Sequence, residues 1–139
     1  MKNDIFNIQL TPQFIKGTNG SLFSLSFLPE DKSSEIVLFL PAFAEELNRC
    51  RVMVSMQARQ LAAIGIGTLL LDYYGTGDSA GDFRDTNWLQ WQQDTHTAIA
   101  WLNDQGYSNI SLWGMRLGAL LAAEIADQSP ELFTRLLLW

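Results

Sequence analysis

The pentad Gly114-Met115-Arg116-Leu117-Gly118 sits between the strand-like run Ile110 to Trp113 and the apolar, helix-like run Leu117 to Ala126. Two glycines flanking one side chain at a strand-to-helix junction is the frame of a nucleophile elbow, G-x-S-x-G. There a serine is held on a strained turn, and the glycines let neighbouring backbone approach. Here arginine holds the central position. A guanidinium stays protonated at any working pH and has no lone pair to offer a carbonyl carbon, so serine-type acyl transfer is excluded at residue 116. What it can do is hold an anion, together with the elbow amides and the N-terminus of the helix that follows.

A second pattern, Gly75-Thr76-Gly77-Asp78-Ser79-Ala80, satisfies the dinucleotide fingerprint G-x-G-x-x-A after a strand. That chemistry needs a helix to open at once and aim its amides at a pyrophosphate. Instead Gly81, Asp82, Asp85 and Asn87 prolong the loop, Asp78 would stand as an anion near the phosphates, and Asp94 falls inside a helix rather than at a strand end. The glycines are therefore read as turn residues, and no cofactor is expected. Among the remaining reactive side chains, Cys50 lies near a helix start without a base beside it, and Ser79 has no identifiable base either. His96, the sole histidine, precedes the elbow and falls on the polar face of a helix. Trp88 and Trp91 share an apolar helix face, so core packing rather than sugar stacking is the expectation for the five tryptophans.

Periodicity supplies the elements that position these residues. Two short strands are predicted at Ile5 to Leu10 and Ser21 to Leu28, joined through a turn at Asn19-Gly20. Ile36 to Leu40 reads as a strand buried on both faces and stopped by Pro41. From about Asn48 a helix buries Val54, Ala58, Leu61 and Ala62, and Gly65 and Gly67 close it. Thr68 to Asp72 is another core strand. Asn87 with Gln90 caps a helix whose apolar side is Trp88, Trp91, Thr95, Ala98, Ile99 and Leu102. After Ser129-Pro130 a last strand runs from Arg135 to Trp139. An alternation of strands and helices after an antiparallel start indicates an α/β fold with a largely parallel sheet.

With 47% hydrophobic and 17% charged residues in 139 positions, the chain can build one hydrophobic core, and residues 1 to 139 are read as a single, partial domain. Nine basic against fifteen acidic side chains give a net charge of −6 without a basic stripe, which argues against nucleic acid and anionic membrane as partners. No run approaches the roughly 18 apolar residues of a membrane span, and the start MKNDIFNIQL has no long apolar segment. One cysteine offers neither a disulfide nor a metal-ligand spacing. A cytoplasmic protein without a metal is the expectation.

Over roughly residues 17 to 139 the elements and motifs resemble the α/β-hydrolase superfamily, especially its serine-aminopeptidase-like branch. Pro41-Ala42-Phe43-Ala44 looks like the loop that supplies an oxyanion-hole amide there, and Asp72 to Gly81 is similar to the D-x-x-G-x-G-x-S loop after the next strand. More narrowly, PAFAEELNRCR, LLLDYYGTGDSAGDF and LWGMRLGALLA look like the bacterial hydrolases associated with the exosortase A system. The resemblance implies a small ester or amide as substrate class, with the amides of Leu117 and of Ala42 or Phe43 at the oxyanion. It also implies that a triad acid and histidine follow the elbow on later strands, and none follows within these 139 residues. The same fold predicts the strand order 4-3-5-6, the last strand an apolar edge that invites self-association. The loop after the Ile36 strand would then stand beside the elbow, so Glu45 or Glu46 is expected to compensate Arg116.

Overall fold

A computed structural model describes residues 7–43 and 45–139. One six-stranded sheet runs through it in the order β1-β2-β4-β3-β5-β6. The strands are β1 (Gln9–Lys16), β2 (Ser21–Leu28), β3 (Glu35–Leu40), β4 (Gly67–Leu71), β5 (Asn109–Gly114) and β6 (Phe133–Leu138), and the helices α1 (Glu45–Ala63), α2 (Trp88–Asp104) and α3 (Leu117–Gln128). β1 and β2 form an antiparallel hairpin, β2 pairs antiparallel with β4, and the pairs β3/β4, β3/β5 and β5/β6 are all parallel. The expected order of the four parallel strands holds, with β6 at the edge.

Near-continuous apolar sequence puts β3 and β5 in the middle, where both sheet faces are covered. On one face Leu38, Leu40, Leu69, Leu71 and Leu112 pack with Trp91, Ala98, Leu102, Leu121 and Ile125 of α2 and α3. On the other, Val37, Phe39 and Trp113 pack under Val54 of α1. Phe39 meets Trp113 edge to face at 4.7 Å.

Three boundaries differ from the expectation, one of them at β6, which starts at Phe133 rather than Arg135. The first strand is Gln9–Lys16, not Ile5 to Leu10, and residues 5 and 6 lie outside the described residues. Apolar alternation pointed too early because β1 is an edge strand rich in Gln and Thr that tolerates Pro12. Helix α1 already begins at Glu45, since Glu45 and Glu46 in its first turn suit the positive end of the helix dipole.

Candidate functional site at the elbow

β5 ends at Gly114 and α3 begins at Leu117, which leaves Arg116 in the turn with φ 55° and ψ −119°. It is the one non-glycine residue with positive φ among the described residues. A strained, sparsely populated backbone conformation is what an elbow imposes on its central residue. Hydrogen bonds fix it from several sides. Met115 N–H donates to Leu40 O at 3.2 Å, Arg116 N–H to Trp139 O at 2.6 Å and Gly118 N–H to Met115 O at 2.8 Å. Gly118 is required by contact: a Cβ there would run into the carbonyl oxygens of Leu40 and Pro41. The first turn of α3 is thereby pressed against the end of β3, where the Pro41-Ala42-Phe43 loop starts.

The guanidinium itself projects into solvent. Arg116 Nη1 stands 3.9 Å from Glu46 Oε1, with the two side chains 67% and 51% exposed. The expected pairing with Glu45 or Glu46 thus falls to Glu46, but as an exposed ion pair without a hydrogen bond, and pairs of this kind contribute about 0–1 kcal/mol. Glu45 is also exposed.

Of the oxyanion-hole candidates, Ala42 is buried and Leu117 half-buried, and neither backbone N–H meets an acceptor among the described residues. Phe43 is 39% exposed and packs its ring edge to face on Phe83 at 5.0 Å and on Trp91 at 5.4 Å. Tyr73 stacks on the other side of this aromatic group, 5.3 Å from Trp91. Below the elbow, Pro41, Phe43, Tyr73, Trp91 and Leu117 leave a crevice of about 10 Å³, room for about one water molecule. The Tyr73 hydroxyl and Trp91 Nε1 are buried there with no partner among the described residues. Burial, then the charges of Asp94 and Asp72, push the Tyr73 phenol well above its ordinary value.

The glycine-rich loop proves to be a closed turn built on Asp72. Its buried carboxylate receives Arg51 Nη2 at 2.8 Å and the Asp78 N–H at 3.0 Å. Ser79 Oγ donates to Asp72 O at 2.6 Å and accepts from Phe23 N–H at 2.8 Å, a hydroxyl bonded to backbone rather than a poised nucleophile. Gly75 and Gly77 have positive φ, as their turns require, and a short 3-10 turn at Phe83–Asp85 precedes α2, so no helix opens on the loop. Cys50 is half-buried beside an apolar cavity of about 60 Å³. His96 is exposed on α2.

Sequence reasoning missed two polar centres. One is the pair of Arg51 with Asp72, residues 21 positions apart that no motif connects. Asp94 is fully buried in α2, accepting from Tyr74 N–H at 2.8 Å and from Gln90 Nε2 at 2.7 Å. Its four-residue spacing from Gln90 was the available signal.

No family model matches the chain, and no curated protein matches its sequence. Solved structures do. Alpha/beta hydrolase GrgF from Penicillium sp. sh18 superposes with a TM-score of 0.79 at 18% identity, covering 94% of this chain and 45% of that one. Est1E from Butyrivibrio proteoclasticus, solved with ferulic acid bound, gives 0.74 at 21% identity over 89% of this chain and 50% of that one. An alpha-beta serine hydrolase homologue from Coxiella burnetii gives 0.69 at 24% over 86% and 58%. The chain has the α/β-hydrolase fold, and it spans about half the length of the structures it matches.

Among the described residues no helix is long and apolar enough to cross a membrane, and no cluster of three or more His, Cys, Asp or Glu side chains could hold a metal ion.

Proposed function

We propose that this chain derives from hydrolases of small esters or amides and that, within its 139 residues, it performs no serine-type acyl transfer. The observation that carries the reading is Arg116 on the elbow turn at φ 55°. The elbow turn and the amides of Ala42 and Leu117, which meet no acceptor among the described residues, support descent from an acyl-transfer site, while the side chain at its centre is a cation. The link to the exosortase A system, and with it a bacterial source, rests on the three sequence strings quoted above. A cytoplasmic location rests on composition and the single cysteine.

A second reading has its own support. Arg116 is two-thirds exposed and only loosely paired, which leaves its charge available to a carboxylate or phosphate beside the α3 N-terminus. In this reading the chain is a non-catalytic anion-binding or partner-binding protein.

Hydrolysis of short-chain chromogenic esters by the purified chain and by Arg116→Ser tests the proposal. Neither protein should turn over, because a serine needs a base within about 3 Å and supplying one triad member recovers little. Stoichiometric acylation of the wild-type chain would overturn it. Saturable binding of phosphate or acetate that Arg116→Met abolishes would establish the second reading.

A further inference from the structure

The α2-facing side of the β1–β2 hairpin changes character along its length. Near the turn, Ile15 and Leu22 pair across the strands and are buried in the core. Because side chains alternate with period two, the next rungs on that face are Gln13 with Ser24, Thr11 with Ser26, and Gln9 with Leu28. Ser24 and Ser26 are 0% and 3% exposed, so hydroxyls stand where a helix-covered sheet face should carry aliphatic side chains.

Opposite this polar floor stand Trp101 and Gln105 from the end of α2, and Tyr107 just beyond. Between them lies a groove of about 370 Å³, large enough for a small organic ligand. Ile36, at the start of β3, lines it, so it opens at the other end of the sheet from the elbow, which follows the ends of β3 and β5.

Inside the groove, Gln13 Nε2 donates to Ser26 Oγ at 3.0 Å. No hydrogen bond among the described residues engages the side chains of Gln9, Thr11, Trp101, Gln105 or Tyr107. The groove therefore offers amides and hydroxyls that both donate and accept, beside two aromatic side chains with an apolar body and a polar tip. Its charges, Glu30 and Lys32, cancel.

We propose that this groove binds a neutral saccharide of one or two rings. An ion finds no net charge here to hold it. A wholly apolar ligand would strand the Thr11 hydroxyl, which has no partner among the described residues, and the hydrogen-bonding capacity that the Gln13–Ser26 pair leaves unused, at a cost of about 1–3 kcal/mol for each group left unpaired. A sugar ring matches both halves of the lining. Its hydroxyls donate and accept, and its C–H faces can lie against Trp101 and Tyr107.

The test is an NMR titration of the 15N-labelled chain with maltose, cellobiose and N-acetylglucosamine. Glucuronate, inorganic phosphate and tri-alanine are run in parallel. We expect saturable shifts of the Trp101 indole N–H and of the Gln13 and Gln105 side-chain amides, with a Kd of about 1–10 mM for at least one neutral sugar. Gln105→Ala and Thr11→Val should each weaken that Kd by roughly tenfold, the equivalent of one lost ligand hydrogen bond. Trp101→Phe should do the same; if it fails to fold, the other two variants decide. No saturation by any of the three sugars overturns the proposal. So do equal or tighter binding of glucuronate, phosphate or tri-alanine, and an unchanged Kd in both Gln105→Ala and Thr11→Val.

Discussion

The carboxylate of Asp72 occupies the space that a Cβ on residue 77 would need, so Gly77 and Asp72 hold each other in place across the glycine-rich loop. Gly77 also has φ 50°, a conformation L side chains rarely adopt. Gly77→Ala should therefore expel the Asp72 carboxylate from its bonds to Arg51 and the Asp78 N–H. We expect a loss of about 2 kcal/mol or more, read as a shifted urea midpoint with an unchanged slope. A change under about 0.5 kcal/mol would show that the loop rearranges freely.

Arg116 presents the converse case, a side chain where the backbone favours glycine. Arg116→Gly relieves the cost of a sparsely populated conformation, about 1–3 kcal/mol, against an entropic loss of about 0.5–1 kcal/mol. The variant should be more stable than wild type by about 1 kcal/mol in denaturant unfolding, whereas Arg116→Ala should show no such gain. Because the Glu46 contact is long and exposed, Glu46→Gln should couple to Arg116→Met by under about 0.5 kcal/mol in a double-mutant cycle.

Stability should fall with rising pH in two separate ranges, each assigned to a buried group with a raised pKa. Burial raises the Asp94 carboxyl above its ordinary value, only partly offset by its bonds from Tyr74 N–H and Gln90. The folded chain keeps that proton where the unfolded chain has released it. The contribution is thus fully present below about pH 4 and is lost as pH rises through the raised folded value. Tyr73 acts likewise at the alkaline end, since its phenol stays protonated in the folded chain well above 10.0. Unfolding free energy measured against pH should lose its acid-side slope in Asp94→Asn and its slope above about pH 10 in Tyr73→Phe. Unchanged slopes in both variants would assign the titration to other groups.

β6 leaves one side of its ladder open, and Leu136, Leu137, Leu138 and Trp139 are 41%, 46%, 55% and 60% exposed. An apolar edge strand of this kind recruits further strands. Light scattering should show the 139-residue chain self-associating with rising concentration, and Leu137→Lys should return it to monomer. A wild-type chain that stays monomeric at millimolar concentration would count against edge pairing.

The buried strands β3, β4 and β5, the helices and the elbow were legible in the sequence because each is written in a local pattern: an apolar run, a 3.6-residue stripe, or paired glycines. β1 was not, because a Gln- and Thr-rich edge strand has neither an apolar run nor a clean alternation. At the site, the pentad located the turn and named its oddity. Yet the solvent exposure of Arg116 depends on which way the elbow aims its side chain, and no spacing encodes that. The Arg51–Asp72 and Gln90–Asp94 contacts are set by tertiary packing in the same way, although the second carried a helical spacing that a closer reading can use.

The strand order also sets a clock for synthesis. β2 pairs with β4 rather than with β3, its successor in the chain, so the finished hairpin has no sheet to join until residues 67–71 exist. At ordinary translation speeds that is a wait of roughly 2–8 s after Leu28 is added. Throughout it, Leu22 and Phe27, which end fully shielded from water, have only the rest of the hairpin to cover them. The β1–β2 hairpin is thus made before its place in the sheet exists and is seated late, and a nascent chain stalled before β4 is the form most exposed to chaperones and to misassembly.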